Sequence, residues 1–218
     1  MFNQLDMISF LKSHNTKYLL LFSAFCCTLI FARIYVVKND TFLFLIKNLG
    51  LAWIPYLLSQ FFVVKSKYLR ILVVLLTLIY FPNTLYMVTD LFQLWPKNHI
   101  SVWFELTHLF SFAMVSLFLG FGMLKNFEKN ILIKFNVRFV NLYIFLIIYL
   151  GSFGVYFGRF VRLNSSDFLL DPKNLFVKVS DVIFYPFDDV NFYGTTLVFA
   201  VFIYLLYYGA FHFAKNQQ

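Results

Sequence analysis

The sequence predicts an all-α protein, a polytopic membrane helix bundle of about six transmembrane helices. Three observations predict it. Apolar runs near residues 18–38, 42–64, 71–91, 102–124, 139–159 and 193–214 each offer about 20 residues, enough to cross a hydrocarbon core about 30 Å thick. Hydrophobic residues make up 61% of the chain and charged ones only 13%, far from the balance of a soluble domain. The basic residues collect in alternate connections between the runs, which is a topology signal rather than a phosphate-binding face. The net charge of +8 therefore implies no nucleic-acid partner.

The first run contains both cysteines, Cys26 and Cys27, which are adjacent and have no third thiol to pair with. No disulfide framework and no cysteine metal site is expected. The run continues past residue 30 without a small-x-small cleavage site, so it reads as a retained helix rather than a signal. Before it, Phe2, Leu5, Ile8 and Phe10 suit a segment lying on the cytoplasmic membrane surface. The second run holds Lys47 and Asn48 about 9 Å below its start, at about 1.5 Å per residue. Lys47 can snorkel, whereas Asn48 needs a partner inside the bundle. Arg33 approaches the same layer from the first run.

The third run contains "FPNTLYMVTDLF". Pro82 lacks an amide proton and crowds the carbonyl of Leu78, so the helix kinks or breaks there. Asn83, Tyr86 and Asp90 follow on one helical face. Two readings stand: a structural kink with Asn83 capping a freed carbonyl, or a break that opens a site. The fourth run opens with Glu105 and His108 at i, i+3, an acid–base pair or two ligands of a metal that Asp90 or Asp167 would have to complete. The fifth run carries Gly151, Gly154 and Gly158 with Ser152, a small-residue face for close approach of a neighbouring helix or of a second copy in an oligomer. It ends in "GRFVRLNSSD". Arg159 and Arg162 either pair with Asp90, Glu105 or Asp167, or hold an anionic ligand.

Between the fifth and sixth runs, Asp171-Pro172 reads as an N-cap followed by a first-turn proline. The stretch after it predicts an interfacial helix near 172–185. Neither a repeat nor a linker divides the chain, so residues 1–218 form one integral membrane domain. Segments 1–17, 65–70, 125–138 and 215–218 carry ten Lys/Arg against two acids; the opposite side carries seven against eight, with Lys47 inside the second run. Both termini are thus expected in the cytoplasm. This topology gathers Arg33, Lys47, Asn48, Asn83, Asp90, Glu105, Arg159, Arg162, Asn164 and Asp167 at the outer end, and leaves only flanking lysines at the inner one.

At these residues the chain resembles the uncharacterised bacterial integral membrane proteins called domain of unknown function 1361. "NLGLAWIPYLLS", "FPNTLYMVTDL", "WFEL" and "GVYFGRFVRLNSSD" carry the resemblance, which is strongest over residues 40–170. It implies a multi-pass protein of the bacterial cell membrane. It maps family polar positions onto Asn48, Pro82, Asn83, Tyr86, Asp90, Arg159, Arg162, Asn164, Ser165 and Asp167. The family tends to carry tryptophans where this chain has Leu163 and Ser166, and a histidine near Gln93, which argues against aromatic stacking or a histidine base there.

The leading expectation is binding or transport of an anionic lipid or lipid-linked molecule by Asn48, Asn83, Tyr86, Asp90, Arg159, Arg162, Asn164, Ser165 and Asp167. A membrane enzyme acting on a lipid-linked substrate is the first alternative, with Asp90, Glu105 or Asp167 as catalytic candidates. An accessory subunit whose polar layer only locks helices together is the second. No metal or cofactor is expected, and the bilayer is the expected partner.

Overall fold

The computed structural model describes residues 14–38, 40–94, 101–135, 137–161 and 190–215, together with Lys173, Val177 and Ser180. All its regular elements are helical. In a bilayer this follows from the backbone itself, since only a helix or a closed barrel satisfies every N–H and C=O without water. The helices are α1 (His14–Val37), α2 (Phe44–Ser59), α3 (Lys67–Tyr80), α4 (Pro82–Thr89), α5 (Val102–Phe127), α6 (Val140–Tyr156) and α7 (Val190–Lys215).

Among the described residues, five stretches are long and apolar enough to cross a membrane: Thr16–Val37, Lys67–Gln93, Val102–Ile133, Val140–Arg159 and Phe192–Phe211. The sixth expected span is shorter. Helix α2 has 16 residues and is continued by a 3₁₀ turn, Gln60–Val63. Of the expected interfacial helix at 172–185, Lys173, Val177 and Ser180 are helical and the Ser180 hydroxyl donates to the Val177 carbonyl at 2.7 Å. The rest of it lies outside the described residues, as does the amphipathic stretch at 1–13.

Helix α1 ends where Lys38 enters the left-handed region at φ 52° and its N–H closes on the Ile34 carbonyl at 2.8 Å. That is a helix C-terminal turn usually made by glycine. Ser66 caps α3 by accepting from the Leu69 N–H.

Helix α5 is the central element. Two-thirds (67%) of its most apolar window is buried, against 17% for α1 and 22% for α7. One apolar cluster joins it to α1 and α2 through Cys26, Ile30, Ala52, Phe112 and Leu119; another joins it to α3, α6 and α7 through Val73, Phe121, Ile148, Ile203 and Tyr207. The outer faces of α1 and α7 leave Leu21, Phe31, Val198 and Leu205 exposed. In water such stripes would be anomalous; against lipid they are the ordinary solvent contact. Helix α1 is pinned to α2 by polar clasps: Thr16 and Tyr56 hydroxyls 3.0 Å apart, and the Trp53 indole donating to Ser23 at 3.1 Å.

The third span is interrupted at Phe81, whose backbone keeps helical angles and whose N–H still bonds the Thr77 carbonyl at 2.9 Å. It stops at Tyr80 and restarts with Pro82 as the first residue of α4. Carbonyls around it take side-chain donors: Asn83 to Tyr80, Thr84 to Phe81, and Ser116 of α5 to Thr84, at 3.0, 2.8 and 2.8 Å. Asn83 thus serves the backbone, as the kink reading expects. Glycines receive the break. Phe81, Pro82 and Thr84 lie where side chains at Gly151, Gly154 and Gly120 would be.

Candidate functional site

One end of the bundle is where α1, α4 and α6 finish and α2 and α5 begin. Two buried ion pairs occupy it. In the first, Arg33 of α1 meets Glu105 in the first turn of α5. Its Nε and Nη2 both donate to Oε1 at 3.0 Å, with the two side chains only 5% and 9% exposed. The Phe42 ring lies 4.2 Å from the guanidinium carbon, a cation–π contact strengthened by exclusion of water. His108, one turn along α5, is fully buried among the rings of Phe42, Phe104 and Phe112. Arg33 Nη1, Glu105 Oε2 and both ring nitrogens of His108 have no hydrogen-bond partner among the described residues.

The second pair is assembled by two departures from α-helical geometry. After α4 the chain tightens into a 3₁₀ turn, Asp90–Gln93, and after α6 it widens into a π-helical turn, Phe157–Val161. Such π turns often sit at functional positions because they re-aim side chains. Here Arg159 Nη2 donates to Asp90 Oδ1 at 2.8 Å, and Gln93 Nε2 donates to the same oxygen at 3.0 Å. Asn48 of α2 lies beside the Asp90 carboxylate. Tyr86, one turn before Asp90, places its ring 4.9 Å from the Arg159 guanidinium. Asp90 is 2% exposed and Arg159 22%, so this pair is closed on the acid side and reachable on the basic side. Asp90 Oδ2 and Arg159 Nε are buried and have no hydrogen-bond partner among the described residues. Burial of two charges is offset only by close geometry and full hydrogen bonding, so atoms left over in such a pair are uncommon.

Of the residues singled out in the sequence, Asn48, Tyr86, Asp90 and Arg159 therefore converge on one cluster, drawn from α2, α4 and the turns that follow α4 and α6. Asn83 faces the helix break and Glu105 belongs to the Arg33 pair. Lys47 is exposed. Arg162, Asn164, Ser165 and Asp167 lie outside the described residues. Sequence reasoning offered Asp90 and Glu105 equally to Arg159; the structure divides them between two arginines. It also missed Gln93 as a partner of Asp90, although Gln93 follows Asp90 by three residues, the spacing of neighbours on a helix surface. Nor is the opposite end only flanking lysines. There Glu128 accepts from Tyr207 at 3.1 Å and pairs with Lys125 at 3.2 Å, and Asn126 donates to Ser59 at 2.9 Å. Among the described residues no three of His, Cys, Asp and Glu converge as metal ligands would.

A family model described as a protein of unknown function, DUF1361, matches residues 47–206. The match spans α2 to α7 and contains every member of the Asp90–Arg159 cluster, whereas Arg33 lies before it. No curated protein and no solved structure matches the chain.

Proposed function

We propose that this chain, which belongs to the DUF1361 family of proteins of unknown function, binds an anionic amphiphile, a lipid or lipid-linked molecule, at the Asp90–Arg159 end of its bundle and holds or carries it across the membrane. One observation carries the reading. The Arg159 side chain is partly exposed, its guanidinium lies over an aromatic ring, and Asp90 takes one of its nitrogens while its buried Nε has no partner among the described residues. Guanidinium forks suit phosphate and carboxylate oxygens, and an aromatic face beneath one restricts its rotation without consuming donors. Lys47, exposed one residue before Asn48, adds a second cation to the neighbourhood, while Glu105 is already committed to Arg33. An anionic headgroup at Arg159 therefore meets a locally positive edge.

Purified protein examined by native mass spectrometry should carry an anionic lipid from its membrane, and Arg159→Ala should lose it while remaining folded. Arg159→Lys should lose it too, because a point charge does not reproduce the planar fork. A wild type that emerges empty, beside an Arg159→Ala variant that unfolds, would end this reading.

The excess of basic residues in alternate loops supports an extracytoplasmic position for this end. In a cysteine-free background, a cysteine at Lys97, between the third and fourth apolar runs, should react with an impermeant maleimide on intact cells. Reaction only after the membrane is opened would reverse the orientation.

A second reading, a layer that locks helices, is favoured for the Arg33–Glu105 pair alone, because that pair is closed to solvent on both sides.

A further inference from the structure

We infer that the end of the bundle opposite the Asp90–Arg159 site is a binding surface for a phospholipid whose headgroup carries two phosphates. The inference stands apart from the anionic-amphiphile reading, because it concerns other residues at the other end. Five cations meet there from two segments: Lys65, Lys67 and Arg70 around the start of α3, and Lys134 and Arg138 in the connection between α5 and α6. Apolar spans begin at Lys67 and Val140 and end at Ile133. All five cations therefore lie within a turn of a span end, the depth of phospholipid headgroups.

Arg70 makes this more than a scatter of flanking charges. Its Nε and Nη2 both donate to the Val64 carbonyl, at 3.1 and 2.6 Å, and its guanidinium lies 5.7 Å from the Phe135 ring. Those contacts fix the fork and tie it to the connection that carries Lys134 and Arg138. They leave Nη1, which is not a buried atom, for an outside acceptor. Lys65, Lys67, Lys134 and Arg138 are exposed. No carboxylate among the described residues pairs with any of the five, and Glu128, the one described acid at this end, is committed to Lys125 and Tyr207. Tyr68, Phe135 and Phe139 stand between the cations, 85%, 57% and 60% exposed. Cations around aromatic surface suit the boundary where headgroup phosphates meet acyl chains. A singly charged headgroup leaves most of this charge unanswered. Two phosphates on one lipid can meet the fixed Arg70 fork and the Lys134–Arg138 side together.

The test uses the purified full-length chain in detergent, offered cardiolipin and phosphatidylglycerol at matched total phosphate. Wild type should retain cardiolipin about tenfold more strongly in native mass spectra, since its two phosphates engage cations from both segments at once. Lys134→Ser/Arg138→Ser should lose that preference and hold cardiolipin at least about tenfold less well, at about fivefold for each cation removed from a headgroup. Both side chains are exposed, so the double variant should keep the wild-type unfolding midpoint. Equal retention of the two lipids by wild type, or retention of neither, would overturn the inference. So would a folded double variant that keeps the cardiolipin preference, because the lipid then sits elsewhere on the chain. That last outcome leaves the Asp90–Arg159 reading untouched, since Arg159→Ala tests it separately.

Discussion

Replacing Glu105 with leucine should destabilise the protein by about 3–5 kcal/mol, the cost of leaving one member of a buried ion pair without its partner. Arg33 and Glu105 are 5% and 9% exposed, and both donors that Arg33 aims at α5 end on a single oxygen of Glu105. Without that oxygen the guanidinium keeps only the Phe42 face, while His108 beside it has no hydrogen-bond partner among the described residues. Arg33 lies one turn before the end of α1, so it can relieve part of the cost by snorkelling, at the expense of its contact with α5. The decisive comparison is the double variant Arg33→Met/Glu105→Leu. Apolar replacement of a whole buried pair is commonly neutral or stabilising, so the double variant should recover to near wild type or beyond. Thermal unfolding in detergent micelles reads both. A double variant as unstable as the single one would show that the pair does more than cancel its own charges.

How much of this could be read in the sequence depends on what lipid does to sequence signals. Depth was legible. Apolar runs gave spans whose ends fall within a few residues of the helices, except that α5 runs on through a π turn to Ile133. The same runs place Asn48, Asp90 and Arg159 at one end of the bundle. Azimuth was not legible. Helices α1 and α7 are apolar nearly all round, because their outer faces meet lipid and their inner faces meet protein, and neither environment asks for polar residues. No stripe therefore marks which way Arg33 points, and its pairing with Glu105 rather than Asp90 is set by the packing of α1 on α5. Pro82 was the exception. Proline in mid-span marks a candidate interruption, although Pro55 sits inside the continuous helix α2, and at Pro82 the neighbouring Asn83 donates to the Tyr80 carbonyl. The turns that aim Asp90 and Arg159 left no comparable mark, since 3₁₀ and π geometry arise from packing at helix ends.

Gly154→Ala should cost about 1–3 kcal/mol or more, the range for forcing a methyl group into an already packed contact. A Cβ built at Gly154 lies 2.6 Å from Pro82 Cγ and 2.9 Å from Pro82 Cβ. A proline ring cannot rotate away, so α6 or the break in the third span must move. At Gly151 the obstacle is the Phe81 ring, 2.6 Å away and 1% exposed, which has little room to turn. The helical glycines Gly50 and Gly194 have nothing within 4 Å, and alanine there should stabilise by up to about 1 kcal/mol through helix propensity alone. The same substitution thus takes opposite signs at two pairs of glycines, which unfolding midpoints in detergent can resolve. Equal effects at all four would mean that α6 does not rest on the Pro82 break. The contact also bears on the ligand site. Arg159 lies five residues beyond Gly154 and Asp90 eight beyond Pro82, so whatever separates glycine from proline shifts the guanidinium relative to its carboxylate. Gly154→Ala protein that still folds should therefore retain less anionic lipid than wild type, although residue 154 touches neither member of the pair.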